Sequence, residues 1–362
     1  MSASQPMGPR KPPPRSATAW ARENLFASPA NGLMTLVLLA ITLWLAWTAF
    51  SWGVLHADFT AASRAECPDD GACWGIVTSR WPRVLAGFYP EGHLWRVAVA
   101  FVCLGVACAP IAVRRAPAWS FLFAPLGVIA AFSVLGGANV LPRVPNEYWG
   151  GFLLNVLLGV VGAIFALPIG VLLAFGRRSS LPVVKVLSVG FIEFVRGAPL
   201  ITLLFMASVV LPLFMPTGVS LDRLTRALVV ITLFESAYMA EVIRGGLQAV
   251  PAGQREAARA LGLGPLRTAA LVVTPQALRI SIPAIVNTFI GLFKDTTLVY
   301  VIALMEVTGM MRQALADTAW QGREVEAYAF IALVFWIACF AMSRFAAALE
   351  RPQQGRLSQE PA

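Results

Sequence analysis

Residues 254–275 read QREAARALGLGPLRTAALVVTP, a polar, arginine-rich stretch between two apolar segments of the chain. The part before Gly262 consists of good helix formers and contains neither glycine nor proline. Gly262 suits the end of a helix, and Pro265 suits the first turn of a second one. Thr274 and Pro275 repeat the pattern of a cap followed by a proline. The stretch therefore predicts two short helices joined by a stiff bend, which together form a protruding knob.

The rest of the chain is strongly apolar. Of its 362 residues, 58% are hydrophobic and only 13% are charged, which leaves too little polar surface for a soluble protein. Several runs reach the roughly 20 apolar residues that cross a bilayer as a helix. The eight segments that we interpret as spans are 32–53, 94–113, 118–137, 151–174, 199–215, 226–243, 284–305 and 327–348. We therefore predict an all-α polytopic membrane protein with about eight transmembrane helices, surrounded by a lipid bilayer.

The net charge of +9 reports topology. If the N-terminus is placed in the cytoplasm, 18 of the 28 Lys and Arg residues fall in inside segments and nine in outside segments, with Lys294 inside a span. By the positive-inside rule, this excess predicts that both termini are cytoplasmic. No basic surface with interleaved aromatic residues appears, so we do not expect a nucleic-acid partner.

The distribution of spans predicts four regions. Residues 1–25 are rich in Pro, Ser and Arg and are expected to be a disordered cytoplasmic N-terminus. Residues 26–146 form an accessory region of three spans. Residues 147–350 hold five spans with polar interruptions, and residues 351–362 form a cytoplasmic tail.

The 254–275 stretch resembles the EAA coupling loop of permease subunits in bacterial ABC importers. The residues that carry this resemblance, at the family's spacing, are Glu256, Ala257, Ala258, Gly262 and Pro275.

Other segments carry the same resemblance. In the coupling loop, Val272 replaces the family's Ile and Thr274 replaces its Leu. The segments FIEFVRGAPL (191–200), SAYMAEVIRGGLQAVPAGQ (236–254) and NTFIGLFKDTTLV (287–299) resemble the polar amino-acid permeases. The general L-amino acid (AapM-type) subunit is the most similar subtype, and the three additional N-terminal spans also fit it.

The resemblance implies a type I (MetI-like) five-helix permease domain at 147–350, with a coupling loop at 245–283. It further implies a second permease subunit, a cytoplasmic ABC ATPase dimer that docks on the knob, and a periplasmic binding protein that delivers an L-amino acid. ATP and Mg²⁺ are expected on the partner ATPase, because this chain has no GxxxxGK[ST] phosphate loop. It also lacks HExxH and a Ser/His/Asp arrangement, so we expect no cofactor and no enzymatic activity.

Ionisable residues within predicted spans are costly and predict a water-lined cavity or a helix break. An amino acid carries both an ammonium and a carboxylate group, so Glu235 and Lys294 are chemically suitable partners for it. The alternative is that these two side chains neutralise each other or hold the two permease subunits together. The candidate pathway residues are Glu235, Tyr238, Asn287, Thr288, Lys294 and Asp295.

Two further pairs are expected to have structural roles. Glu193 and Arg196 are three residues apart, as are Glu241 and Arg244, and side chains at this spacing pair on a helix. Both pairs lie near the predicted cytoplasmic boundary, which favours ion pairing at helix ends.

Two cysteines lie in one predicted outer loop. Cys67 and Cys73 are six residues apart in ECPDDGACW, and the oxidising periplasm favours a disulfide between them. Two free thiols are the alternative. Neither the cysteine spacing nor the supply of histidine suits a metal site.

An ion-gradient-driven secondary transporter or channel for small polar solutes is the competing functional class. It would be expected to show an inverted repeat with matching broken helices in both halves. The sequence shows polar interruptions in the second part only, which favours the ABC importer.

Overall fold

The structure, a computed structural model, describes residues 16–112, 123–138, 141–216, 218 and 221–357. Within these ranges the secondary structure is α-helix with short 3-10 and π segments, and β-pairing is limited to isolated bridges. The chain divides into two compact units, Met1–Gly75 and Ile76–Ala362.

The first unit contains α1 (Ala17–Asn24) and the long apolar α2 (Pro29–Phe50), which continues as a π-helical turn. Ser16 caps α1 by accepting a hydrogen bond from the amide of Ala19 at 3.2 Å. The predicted disorder of residues 1–25 is therefore wrong for Ala17–Asn24, because this segment has a cap and mostly helix-compatible residues. Residues 1–15 lie outside the described part of the chain.

The loop after α2 is compact. Cys67 and Cys73 form a disulfide with a Cα–Cα distance of 5.5 Å. The indole of Trp74 donates to the carbonyl of Gly53 at 2.8 Å, and its ring stacks on Phe59. The loop thus has both a covalent and an aromatic contact.

From Gly75 onward the chain is a succession of helices. They are α3 (Gly75–Thr78), α4 (Trp81–Ala86), α5 (Leu94–Ala112), α6 (Phe123–Gly136), α7 (Gly151–Arg177), α8 (Pro182–Gly197), α9 (Leu200–Phe205), α10 (Arg223–Ala249), α11 (Ala252–Ala260), α12 (Pro265–Arg267), α13 (Thr274–Asp295), α14 (Val307–Ala316) and α15 (Glu324–Leu357).

The described residues of each of the eight predicted spans are mostly helical. Among the described residues, five helices are long and apolar enough to cross a membrane: Pro29–Leu55, Glu91–Ala109, Gly151–Arg177, Pro265–Ile302 and Glu324–Ala348. α8 and the following helical segment form a sixth candidate, as a pair bent by 103°. α10 is 27 residues long but too polar to be among the five. α6 has 14 described helical residues, and residues 118–122 of the predicted span lie outside the described ranges.

Two predicted spans differ from the structure in detail. The segment 199–215 is not one α-helix, since α9 gives way to a π turn and then a 3-10 turn before Met215. The segment 284–305 is the second part of a helix that starts well before it, and it ends as the 3-10 segment Thr296–Ile302. Proline at 199 and 212 and the polar run at 294–297 account for these irregularities.

The core of the second unit lies around α7 and α10, where residues such as Leu157, Ile231 and Ala237 are fully buried. α13 packs on α10 at a close crossing. A Cβ atom added at Gly246 would lie only 2.6 Å from the carbonyl oxygen of Ala277, so the crossing requires a glycine there.

The two ends of α7 define the two ends of this unit. At the Gly151 end, Arg80 forms an ion pair with Asp317 at 2.5 Å, and Asn146 donates to Asp222 at 2.7 Å. At the Arg177 end, α7 contacts α8 and α10 through ion pairs. Within the second unit, Arg80, Asn146, Asp222 and Asp317, which were predicted to share one side of the membrane, thus lie at the same end.

Candidate functional site

The predicted knob is an elbow formed by residues 252–267, from α11 to α12. α11 ends with two backbone hydrogen bonds. The amide of Leu263 donates to the carbonyl of Ala258 at 3.0 Å, and the amide of Gly262 donates to the carbonyl of Arg259 at 2.9 Å. Gly262 has a φ of +78°, which completes a Schellman motif. Pro265 then starts α12. The bend is therefore fixed by backbone geometry.

The elbow is anchored to the bundle on one face. Ala258 is buried, and the guanidinium of Arg255 donates to the carbonyl of Leu247 at 2.8 Å. The other EAA positions, Glu256 and Ala257, are exposed, as is Pro275 at the start of α13. The elbow thus exposes Glu256 and Ala257, while Ala258 packs against the bundle.

The tip of the elbow also carries exposed leucines that the sequence analysis did not single out. Leu261 is 82% exposed and Leu266 is 86% exposed, on either side of the bend. Large apolar side chains this exposed on a polar segment suit an interaction surface. In the sequence, their positions beside Gly262 and Pro265 were the signal that could have identified them.

The elbow continues directly into a spanning helix. Pro265–Ile302 forms one helical rod of 38 residues, which we call the rod. The prediction that Thr274 caps a new helix is wrong, because its hydroxyl donates to the carbonyl of Ala269 at 2.7 Å. A π-helical stretch, Thr268–Val273, precedes Pro275, where the missing proline N–H disturbs regular α-helical bonding.

An ionic cluster joins α7, α8 and α10 at the Arg177 end. Glu241 accepts from Arg244 at 2.9 Å, as predicted from their spacing. The predicted pair Glu193–Arg196 does not form; Glu193 instead accepts from Arg177 at 2.8 Å. Arg177 also lies 3.0 Å from Glu241, and Arg196 lies 3.9 Å from it. Arg177 comes from a neighbouring helix and outcompetes the local partner.

Glu235 lies in the packed interior. Glu235 is only 3% exposed, and its Oε1 has no hydrogen-bond partner. Among the described residues, no ion pair joins Glu235 to Lys294. The alternative in which these two side chains neutralise each other as an ion pair is therefore not what the structure shows.

The remaining candidate pathway residues lie on α10 and α13. Asn287 and Lys294 are exposed on α13, whereas Asp295 and Thr288 are partly buried, and the Thr288 hydroxyl donates to Ala284 at 2.8 Å. Tyr238, on α10, is partly buried beneath the guanidinium of Arg196, which lies 5.5 Å from the ring centroid. α13 therefore presents an amide and an ammonium group away from the bundle.

A buried polar joint that the sequence analysis missed lies at the Gly151 end. The amide nitrogen of Asn155 donates to Thr296 at 2.9 Å and to Glu306 at 3.2 Å. All three residues are fully buried. Burial raises the pKa of the Glu306 carboxyl, while hydrogen bonds from the Thr308 amide and from Asn155 act in the opposite direction. These partners are 141 and 151 residues apart, so no local pattern could reveal them.

The described residues contain no group of three or more His, Cys, Asp or Glu side chains suited to hold a metal ion. The candidate site comprises the elbow, the ionic cluster, the polar face of α13 and the buried joint.

Comparison with known proteins assigns this arrangement to a family. Residues 166–353 match the family described as binding-protein-dependent transport system inner membrane component. The chain is 45% identical over 357 residues to the inner membrane amino-acid ABC transporter permease protein YhdY of Escherichia coli, covering 94% of this chain and 95% of that protein. It is 41% identical over 405 residues to the glutamate/glutamine/aspartate/asparagine transport system permease protein BztC of Rhodobacter capsulatus. That match covers 92% of this chain and 93% of BztC.

A solved structure described as an amino acid ABC transporter with histidines is similar in fold, with a TM-score of 0.50 and 30% identity. The match covers 56% of this chain and 92% of that chain. The chain belongs to the binding-protein-dependent transport system inner membrane component family. It is a multi-pass inner-membrane ABC importer permease with the type I fold, as predicted.

Proposed function

We propose that this chain is one half of a translocation pathway for L-amino acids and that it receives mechanical work from separate ATPase subunits through the elbow. The elbow is the observation that carries the proposal. Its bend is fixed by a Schellman motif, its tip exposes Leu261 and Leu266, and it continues without interruption into the rod. A rigid body of this kind can bias a two-state element, which a flexible loop cannot do.

A second permease subunit is needed to complete the pathway. Lys294 is exposed within a helix that is apolar enough to span the membrane. An ammonium group facing lipid at this depth costs about 2.5–3.5 kcal/mol on insertion scales. The polar face of α13 therefore suits a water-lined cavity or a partner subunit.

The remaining partners follow from the same proposal. An ABC ATPase dimer binds ATP and Mg²⁺ and docks on the elbow from the cytoplasm, so the Gly151 end faces outward. The excess of Lys and Arg in the inside segments supports cytoplasmic termini. The family description, which specifies dependence on a binding protein, supports a periplasmic receptor that delivers the amino acid. This chain contributes the pathway and the coupling and performs no bond chemistry.

The substrate class is supported by the relatives. YhdY is named as an amino-acid permease, and BztC for glutamate, glutamine, aspartate and asparagine. We propose L-amino acids as the class, with these four as the first to be tried.

Uptake into vesicles tests the proposal. The chain is reconstituted with the second permease and the ATPase subunits, ATP is placed inside, and receptor and labelled amino acid are placed outside. Uptake is expected to require ATP and to persist with an uncoupler. Uptake that collapses with the uncoupler but needs no ATP would identify an ion-driven secondary transporter instead.

A further inference from the structure

The buried joint lies at the far end of the rod from the elbow. Thr296 belongs to the 3-10 segment in which the rod ends, and Glu306 precedes α14. Asn155 belongs to α7 and contacts both. The joint is thus the place where the rod, α7 and α14 meet.

The joint uses all the hydrogen-bonding groups of one amide. The amide nitrogen of Asn155 donates hydrogen bonds to Thr296 and Glu306, and its Oδ1 accepts one from the backbone N–H of Val307 at 3.1 Å. The Glu306 carboxylate in turn caps α14 by accepting from the amides of Thr308 at 2.8 Å and Gly309 at 3.0 Å. The start of α14 is therefore fixed to α7 through one side chain.

Backbone contacts support the same connection. The amide of Gly151, at the start of α7, donates to the carbonyl of Met305 at 2.8 Å. Between the rod and this contact the chain turns at Ala303, a non-glycine residue with a φ of +58°. A sharp turn held on both sides by buried bonds is well suited to pass on a displacement without absorbing it.

We propose that Asn155, Thr296 and Glu306 are positioning residues for transport: they hold the end of the rod on α7, so that a displacement of the elbow reaches segment 303–316. This inference rests on the proposed function. Buried hydrogen bonds are directional and have few alternative arrangements, whereas apolar side chains can slide past one another. The joint therefore attaches the outer end of the rod to α7 and to the start of α14, with the elbow at the other end of the rod.

Two neighbouring threonines provide a matched test. The Thr296 hydroxyl donates to the carbonyl of Phe293 at 2.6 Å, and the Thr297 hydroxyl donates to that of Lys294 at 2.9 Å. Only Thr296 also accepts a bond from Asn155. Comparison of Thr296→Val with Thr297→Val therefore isolates the bond to α7, because each loses the same local bond.

The experiment measures amino acid taken up per ATP hydrolysed in vesicles that contain the assembled complex. We expect Thr296→Val and Asn155→Leu to retain ATP hydrolysis but to lower this ratio at least about fivefold, in the range of ordinary coupling between sites. Thr297→Val is expected to match the wild type. A purely structural role would lower assembled protein and melting temperature without changing the ratio.

An unchanged ratio in both joint variants, or an equal loss in Thr296→Val and Thr297→Val, would overturn the proposal. A wild-type complex that moves no amino acid with ATP would instead contradict the proposed function. Hydrogen exchange of segment 307–316 then tests the joint without transport. Exchange in this segment is expected to become faster in Asn155→Leu and not in Thr297→Val; unchanged exchange in Asn155→Leu would refute the joint.

Discussion

At the scale of single residues, Glu241 organises the charges at the Arg177 end. Its side chain is 16% exposed and lies within 4 Å of three guanidinium groups, those of Arg177, Arg196 and Arg244. Glu193 shares one of these partners but is 54% exposed. The two glutamates thus differ mainly in how many cations they neutralise and how far they are removed from water.

This difference predicts unequal effects of the same substitution. Glu241→Gln is expected to lower the free energy of unfolding by about 1–3 kcal/mol, because three partly buried cations lose their shared anion. Glu193→Gln is expected to cost less than about 1 kcal/mol, since its pair is exposed to solvent. Thermal melting of the two variants in detergent measures the difference, and equal shifts would contradict the role of Glu241.

The residue scale also shows what the sequence can and cannot predict. The pair Glu241–Arg244 was predictable because both residues lie on one helix at a pairing distance. The same rule was wrong for Glu193, since Arg177 approaches it from α7. The bond between Asn155 and Glu306 joins residues 151 positions apart, and nothing local to either residue indicates the other.

At the scale of structural elements, the elbow depends on one backbone conformation. Gly262 has a φ of +78°, whereas Gly264, two residues later, has a φ of −65°. A Cβ atom at either position would meet open space. The two glycines therefore separate the effect of backbone strain from that of added bulk.

Alanine at each position is expected to give different results. Gly262→Ala forces a left-handed conformation on alanine, at a cost of about 1–2 kcal/mol, and is expected to reduce uptake. The backbone at Gly264 already has a φ that alanine adopts readily, so Gly264→Ala is expected to behave like the wild type. Uptake per inserted protein is the measurement. Equal activity in both variants would mean that the bend does not depend on Gly262.

The crossing of α10 and α13 offers a second matched pair. Gly246 faces the backbone of Ala277, while a Cβ at Gly245 would meet nothing within 4 Å. Gly246→Val is expected to force the helices apart and to destabilise the protein by about 1–3 kcal/mol. Gly245→Val is expected to cost less, because a Cβ at that position meets nothing within 4 Å. Melting temperatures compare the two; a larger loss in Gly245→Val would contradict the packing described.

Element boundaries were predictable where glycine and proline mark them. The elbow was predicted from Gly262 and Pro265, because these residues act on the local backbone. The continuity of the rod through Pro275 was not predicted, since a π-helical stretch precedes this proline and no new helix begins there. The bend of 103° after α8 falls at Gly197 and Pro199, but its angle is not specified by these two residues alone.

At the scale of the whole molecule, α13 gives the bundle an exposed polar face. Lys294 and Asn287 lie on the exposed side of α13. Composition indicated a membrane protein and eight helical segments, but the exposure of these side chains follows only from how α13 packs on its neighbours.

Lys294→Met is expected to lower amino-acid uptake at least about tenfold, equivalent to about 1.4 kcal/mol of lost interaction, because the ammonium group no longer meets the substrate or the partner subunit. Lys185→Met is the control, since Lys185 is an exposed residue on α8. The assembled complex is quantified alongside uptake, which separates loss of assembly from loss of transport. Wild-type uptake by the Lys294→Met complex would remove this residue from the pathway.

Site-specific cross-linking at the tip of the elbow tests the central claim most directly. A photo-reactive residue is introduced at Leu266, which is 86% exposed, and separately at Phe214, which is 81% exposed beyond α9 and serves as the control. In membranes that contain the assembled complex, the account predicts an adduct with the ATPase subunit from position 266 and none from position 214. No ATPase adduct from position 266, or labelling of that position from the periplasmic side, would contradict it.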